Sequence, residues 1–254
     1  MTSTTPNPEP MHVVLLPGSL CDERLFLHQI AALEHAGHDV TVAQLRPHIS
    51  IEAMAEHVAD SIDGPFVAVG LSLGGIVAAE LAAQCPERLL GVALFDTNLD
   101  EPAQRQLDQR REWEGTVRSG KLWHLVAQEL VPVQTSFPER HGQLIFAMAE
   151  TASSAGFISE NAALLDRHDR RDSFADFTQP VLIACGDEDL VCPPALHREL
   201  AGRIPQARLE VIPSAGHLAT IDQPVAVSDL LIDWLEQIST EIDTQEGNHA
   251  YDHA

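Results

Sequence analysis

A serine stands between two glycines in the sequence Gly-Leu-Ser-Leu-Gly at residues 70–74. An apolar run precedes this G-x-S-x-G pattern and a helical pattern follows it, which is the strand, turn and helix setting of a serine nucleophile. So sharp a turn brings its first and last residues close together, which Gly70 and Gly74 permit. We predict that Ser72 attacks a carbonyl carbon and that the N–H of Leu73, at the helix N-terminus, stabilises the oxyanion. The alternative is a glycine-rich turn with a passive serine.

A serine hydroxyl needs a general base near neutral pH, and histidine has the matching pKa. The chain has 13 histidines. His217 follows the last predicted strand, precedes the last predicted helix and comes after suitable acids. We therefore predict His217 as the base. Four others are interpreted as non-catalytic: His12, His124, His168 and His197.

The acid that orients such a histidine should lie at the end of the preceding strand, where it can fix the tautomer and stabilise the imidazolium. The sequence Gly-Asp-Glu-Asp at 186–189 offers three carboxylates at that place, Asp187, Glu188 and Asp189. Asp96 ends an earlier predicted strand and is a further candidate. The spacing to the histidine alone does not decide which of these carboxylates orients it.

The serine, acid and histidine motifs together resemble the α/β-hydrolase superfamily, from His12 to about Ile238. The placement of Gly186 and Pro193 around the acid resembles the family pattern, which favours Asp189, with Asp187 and Asp96 as alternatives. This resemblance implies catalysis by serine, histidine and aspartate.

The segment HVVLLPGSLCDERLF at 12–26 resembles the first strand and oxyanion loop of the same family. Family members usually have His-Gly where this chain has Pro17 and Gly18. By position, the resemblance implies that the N–H of Ser19 is the second oxyanion donor. Pro17 replaces one side chain that would organise the loop.

Short apolar runs alternate with helical patterns along most of the chain. Continuous apolar runs indicate strands buried on both faces, and therefore a mostly parallel sheet covered by helices in an α/β fold. The predicted strands are at 12–16, 39–43, 66–70, 89–95, 180–186 and 207–212. The predicted covering helices are at 25–37, 49–63, 74–84, 195–204 and 223–238.

The alternation stops at residues 100–178, where helix patterns follow one another. We predict a helical cap inserted into a core made of 11–99 and 179–239. Within it, a helix should start at 100–102, another should end at Pro132, and two more should begin at Pro138 and Phe157. Aromatic residues of the cap, Trp113 and Phe157 among them, should give the active site an apolar ceiling.

Residues 1–10 and 240–254 are polar and lack an apolar period, which predicts disordered ends. The formal charge of −23, from 15 Lys and Arg against 38 Asp and Glu, argues against nucleic-acid and membrane partners. Four scattered cysteines form no CxxC pair, so neither disulfides nor a metal are expected, and no cofactor is predicted. With no signal peptide or membrane span in the sequence, we expect a cytoplasmic protein.

The predicted cap and the acid motif most resemble small capped esterases and lactonases, such as 3-oxoadipate enol-lactonases and pimeloyl carrier-protein methyl ester esterases. The first expectation is therefore hydrolysis of a small or medium carboxylic ester or, as the alternative, of a lactone. Other members use a similar triad for carbon–carbon bond hydrolysis or pyruvate elimination. A non-catalytic binding scaffold is a further alternative.

Overall fold

A computed structural model of the protein describes residues 10–174 and 176–251, with side chains described through Ile242. The predicted disordered ends therefore fall outside the described residues for 1–9 and 252–254. None of the described helices combines the length and the hydropathy needed to cross a membrane.

Six parallel strands form a single sheet in the order β2-β1-β3-β4-β5-β6. This confirms the predicted α/β fold, because continuous apolar runs form strands that are covered on both faces. The central strands β3, β4 and β5 end near one another and carry Ser72, Asp96 and Asp187 just beyond their last residues. The strands are β1 His12–Leu16, β2 Asp39–Val42, β3 Phe66–Leu71, β4 Leu89–Phe95, β5 Val181–Gly186 and β6 Ala207–Ile212.

Two groups of helices cover the two faces of the sheet. Helices α1 (Leu27–His35) and α10 (Pro224–Tyr251) pack on one face, where Trp234 is buried. Helices α2 (Ile51–Ser61), α3 (Leu73–Gln84) and α8 (Pro194–Arg203) cover the other face. Neighbouring residues of each strand point to opposite faces, so each strand contributes to both cores.

Between β4 and β5 the chain forms helices and no strand among the described residues, which leave out Ala175. The helices are α4 Gln104–Arg118, α5 Leu122–Leu125, α6 Val131–Gln134 and α7 Pro138–Leu165, with a π-helical turn at Val126–Leu130 and a 3₁₀ turn at Arg171–Phe174. We call Gln104–Leu165 the helical segment.

Three predicted helix boundaries in this segment differ from the structure. The first helix starts at Gln104 instead of 100–102. Pro132 lies in the first turn of α6, where proline is tolerated because that turn needs no backbone N–H. The two last predicted helices lie within α7 and are separated by the non-helical residue Ser153 (φ 65°, ψ 173°), so the second one begins after Ser153 instead of at Phe157.

Helix α10 continues through Tyr251, so residues 240–251 are helical where the sequence predicted disorder. The prediction relied on the absence of an apolar period, but a helix that is already nucleated can continue through residues such as Glu and Gln, which favour it.

Candidate active site

Ser72 lies at the turn between β3 and α3 with φ 54° and ψ −113°, a conformation that L-residues rarely adopt. A Cβ at Gly70 would overlap the backbone of Gly74, and a Cβ at Gly74 would overlap the carbonyl oxygen of Leu16. The two glycines therefore allow the tight turn, as predicted, and the turn holds the serine side chain away from the sheet.

The structure brings three predicted residues into one hydrogen-bonded series. His217 Nε2 lies 2.9 Å from Ser72 Oγ, and His217 Nδ1 lies 2.9 Å from Asp189 Oδ2. A carboxylate only accepts, so Nδ1 carries the proton, and in the neutral ring Nε2 is left to accept from the serine hydroxyl. Both His217 and Asp189 are buried. This arrangement can remove the serine proton as the oxygen attacks.

Asp189 is itself fixed by the loop that follows β5. Its Oδ1 accepts hydrogen bonds from the backbone N–H groups of Val191 (2.7 Å) and Cys192 (2.9 Å), which leaves Oδ2 for the imidazole. The sulfur of Cys192 belongs to a close group with Asp189 and His217, whose ligand atoms all lie within 4.8 Å of one another. Burial raises the pKa of the Cys192 thiol well above its usual range, so the sulfur is neutral and a weak metal ligand.

The two alternative acids have other partners. Asp187 is exposed, and its Oδ1 faces the backbone N–H of Ala215 at 3.4 Å. Asp96 is fully buried and accepts from the N–H of Gly186 at 2.8 Å. Burial, with the negative charge of Asp189 nearby, raises the pKa of Asp96 well above its usual range. The raised pKa favours the protonated form of Asp96, next to the carboxylate of Asp189 that contacts His217.

A buried histidine supports the serine backbone from behind. His197 Nε2 accepts a hydrogen bond of 3.0 Å from the N–H of Thr97, whose hydroxyl donates to the carbonyl oxygen of Ser72 at 2.7 Å. Burial lowers the pKa of His197 to about 4, so the ring is neutral and able to accept. The sequence carried no signal of this supporting contact of His197.

The predicted oxyanion donors lie on the two sides of the serine. Leu73 is the first residue of α3, so its N–H has no acceptor within the helix. A Cβ built on Gly18 would lie 3.6 Å from Ser72 Cβ, so the loop of Ser19 runs directly beside Ser72. Backbone N–H groups from these two elements can meet at an oxygen bound next to Ser72.

Glu160 of α7 holds the Ser19 loop in place, and sequence reasoning did not identify it. Glu160 Oε2 accepts from Ser19 Oγ and from the N–H of Leu20, both at 2.8 Å, while its Oε1 pairs with Arg46 Nη1 at 2.6 Å. Leu20 has a positive φ of 60°, so its conformation needs support. Glu160 thus organises the loop that contains Pro17 and Ser19.

A second unpredicted carboxylate, Asp222 of α9 (Ala219–Asp222), supports the loop of His217. It accepts from the N–H of Gly216 at 2.8 Å and from the N–H of Ser136 at 2.9 Å. An acid within a mostly apolar stretch was the only sequence signal for both Asp222 and Glu160.

A cavity of about 370 Å³ lies at this site, between the sheet and the helical segment. Its wall includes Ser72, His217 and the Ser19 loop. Apolar residues of the helical segment line it as expected: Trp113, Leu130, Val133 and Phe157. The sequence predicted an apolar ceiling for the active site. Arg110 and Arg167 also line the cavity, so its wall is not purely apolar.

Comparison with known proteins identifies the fold family of the chain. The sequence profile of the alpha/beta hydrolase fold family matches residues 12–224. A pimeloyl-[acyl-carrier protein] methyl ester esterase of Neisseria meningitidis is 27% identical over 221 residues, which cover 84% of this chain and 70% of that protein.

Two solved structures share the fold. A thermophilic esterase from Thermogutta terrifontis has a TM-score of 0.80 at 25% identity, over 94% of this chain and 97% of its own. The enol-lactonase from Burkholderia xenovorans has a TM-score of 0.78 at 23% identity, over 90% of this chain and 92% of its own.

The parallel sheet, the tight turn at Ser72 between β3 and α3, and the family match together define a hydrolase. The chain belongs to the α/β-hydrolase family.

Proposed function

We propose that this enzyme hydrolyses a small or medium carboxylic ester through an acyl-enzyme on Ser72. The observation that carries the proposal is the hydrogen-bonded series of Ser72, His217 and Asp189 in the wall of the cavity. The esterases among the similar proteins support the same reaction class.

In the proposed mechanism, Ser72 Oγ attacks the ester carbonyl while His217 Nε2 takes the hydroxyl proton. The N–H groups of Ser19 and Leu73 stabilise the negative oxygen of the tetrahedral intermediate. His217 then gives its proton to the departing alcohol. A water molecule attacks the acyl-enzyme by the same route and regenerates the serine, while Asp189 stabilises the imidazolium in both halves.

In this proposal, residues 100–178 act as a cap over the ester. The apolar residues of the helical segment that line the cavity would surround the bound acyl or alkyl chain. The cavity of about 370 Å³ lies at the small end of ligand pockets, which suits a small or medium substrate.

The proposal is tested with 4-nitrophenyl esters from acetate to octanoate, comparing wild type with Ser72→Ala. Turnover should fall by several orders of magnitude in Ser72→Ala. Ser119→Ala removes a serine at the exposed end of α4 and should leave turnover unchanged. Labelling with a fluorophosphonate, followed by peptide mass spectrometry, should place the adduct on Ser72.

Turnover that persists in Ser72→Ala would overturn the acyl-enzyme. An enzyme that opens lactones but leaves linear esters intact would replace the ester by a lactone. Turnover restricted to a dienyl diketone would instead indicate carbon–carbon bond hydrolysis.

A further inference from the structure

Arg110 and Arg167 line the active-site cavity without an acidic partner. Arg110 Nη1 donates to Asn161 Oδ1 at 3.3 Å, and Arg167 Nε donates to the backbone oxygen of Asp100 at 3.1 Å. Among the residues that the structure describes, no carboxylate oxygen lies within 4.0 Å of a nitrogen of either guanidinium. Each guanidinium has five N–H donors, so most of them remain available to a molecule in the cavity.

The two arginines are unfavourably placed when the cavity holds only water. Arg167 is buried, with 6% of its surface exposed. Burial, together with the positive charge of Arg167, lowers the pKa of Arg110 to about 10. Two desolvated charges of the same sign without a counter-ion destabilise each other, and a bound anion removes that repulsion.

The arginines of this cavity are a concentration of positive charge in a strongly acidic chain. A protein with a formal charge of −23 has 15 Lys and Arg. Three of them line this one cavity, because Arg105 joins Arg110 and Arg167 in its wall. Of the two nearby glutamates, Glu129 is exposed, and Glu160 is already paired with Arg46. A planar guanidinium matches a carboxylate through two parallel hydrogen bonds.

The same cavity is also lined by the apolar side chains of Leu130, Val133 and Phe157. We propose that the substrate is an ester with a second, free carboxylate at the far end of an apolar chain, and that Arg110 and Arg167 bind this carboxylate. The inference rests on the proposed ester hydrolysis and names the class of ester. The substrate is a half-ester of a dicarboxylic acid or a hydroxy acid whose hydroxyl group is acylated.

The test uses two pairs of substrates that differ only in the distant charge. Mono-4-nitrophenyl adipate is compared with 4-nitrophenyl heptanoate, which places the charge in the acyl half. Sodium 6-acetoxyhexanoate is compared with heptyl acetate, which places it in the alcohol half. In at least one pair, kcat/KM of the charged ester should exceed that of the neutral ester about tenfold or more.

Arg110→Gln and Arg167→Gln should each abolish the preference, so that the charged and neutral esters have about equal kcat/KM values. The kcat/KM of the neutral ester should change less than about threefold. Arg118→Gln removes an exposed positive charge from the same helix as Arg110 and should keep the preference. Circular dichroism and the melting temperature identify any variant that fails to fold. Adipate binding to Ser72→Ala, measured by calorimetry, gives a readout that needs no turnover and should weaken about tenfold in either arginine variant.

If neutral esters are hydrolysed as fast as charged esters in both pairs and adipate does not bind, the carboxylate site is overturned. The proposed ester hydrolysis would remain intact in that case. If inorganic phosphate binds Ser72→Ala as tightly as adipate does, and charged esters are not preferred over neutral ones, the arginines bind a free anion. That result would also overturn the proposal. Loss of turnover on every ester, with adipate still bound, would refute the hydrolysis and not the anion site.

Discussion

The carboxylate of Asp222 accepts a hydrogen bond of 2.8 Å from the backbone N–H of Gly216, the residue that precedes His217. It also accepts from the N–H of Ser136 and the hydroxyl of Thr135, just before α7. The histidine loop and the helical segment are therefore joined through one buried carboxylate, which explains how a side chain outside the triad can set the position of the base.

Asp222→Asn should lower kcat about tenfold and leave KM nearly unchanged. The amide nitrogen cannot accept a hydrogen bond, so at least one buried N–H or hydroxyl loses its partner and the histidine loop shifts. The free energy of unfolding should fall by about 2 kcal/mol, measured by urea denaturation. Asp229→Asn, an exposed position on α10, serves as the control. An unchanged kcat in Asp222→Asn would remove the positioning role.

Glu160→Gln should disorder the Ser19 loop and reduce kcat about tenfold to a hundredfold, because one oxyanion donor would be misplaced. It should also destabilise the protein by about 3 kcal/mol, since Arg46 loses its counter-ion. Adding Arg46→Gln should recover part of that stability but not the activity, because the Ser19 loop needs the carboxylate itself. Steady-state kinetics and urea denaturation of the single and double variants measure both effects. Glu150→Gln, exposed on the same helix, is the control, and full activity in Glu160→Gln would contradict the role.

His197 should make the stability of the protein sensitive to mild acid. Its pKa is lowered by burial from an ordinary 6.5 to about 4 in the folded state. Between these values the unfolded chain binds a proton that the folded chain does not, so the free energy of unfolding falls as the pH falls from 6.5 to 4. The difference amounts to about 3 kcal/mol at pH 4 and vanishes above pH 6.5.

The His197 contribution is isolated by comparing wild type with His197→Gln, since His38 and His141 also have pKa values lowered by burial. The gap in stability between the two proteins should narrow or reverse towards pH 4, measured by urea denaturation at several pH values. A gap that stays constant from pH 7 to pH 4 would show that His197 does not titrate as described.

Gly74→Ala should prevent folding or lower the free energy of unfolding by about 3 kcal/mol or more, because the added methyl group would overlap the backbone of β1. Gly115 in α4 offers the matched contrast, since a Cβ there meets nothing within 4 Å. Gly115→Ala should stabilise the protein by up to about 1 kcal/mol through helix propensity. Thermal unfolding of the two variants measures both, and equal melting temperatures would contradict the steric account.

The sequence predicted the strands of the sheet closely because each buried parallel strand is a continuous apolar run. Strands β1, β4 and β6 have the predicted bounds, and the others differ by one residue at one end. Ser72, Asp189 and His217 could be chosen because each lies at a defined place relative to a strand end, and the structure brings their side chains together.

Residues that act through distant contacts could not be predicted in this way. Glu160 pairs with Arg46 across 114 residues, and Asp222 bonds Ser136 across 86. The apolar stretches around these acids predict burial at most, because their role depends on which loops the fold places beside them. The same holds for Arg110 and Arg167, which face the cavity only once the helical segment has folded.

The helical segment is not an interchangeable part of this enzyme. It supplies Glu160 to the loop beside the nucleophile, and its Gln134 carbonyl accepts the N–H of Leu218 at 2.8 Å, next to the base. A graft of the corresponding helices from a relative would therefore replace supports of the catalytic chemistry along with the substrate-facing wall. If the preferred substrate were altered by exchanging these helices, the carboxylate of Glu160 and the carbonyl contact of Gln134 would have to be retained in the new helices. Point changes at the cavity wall would leave both contacts in place.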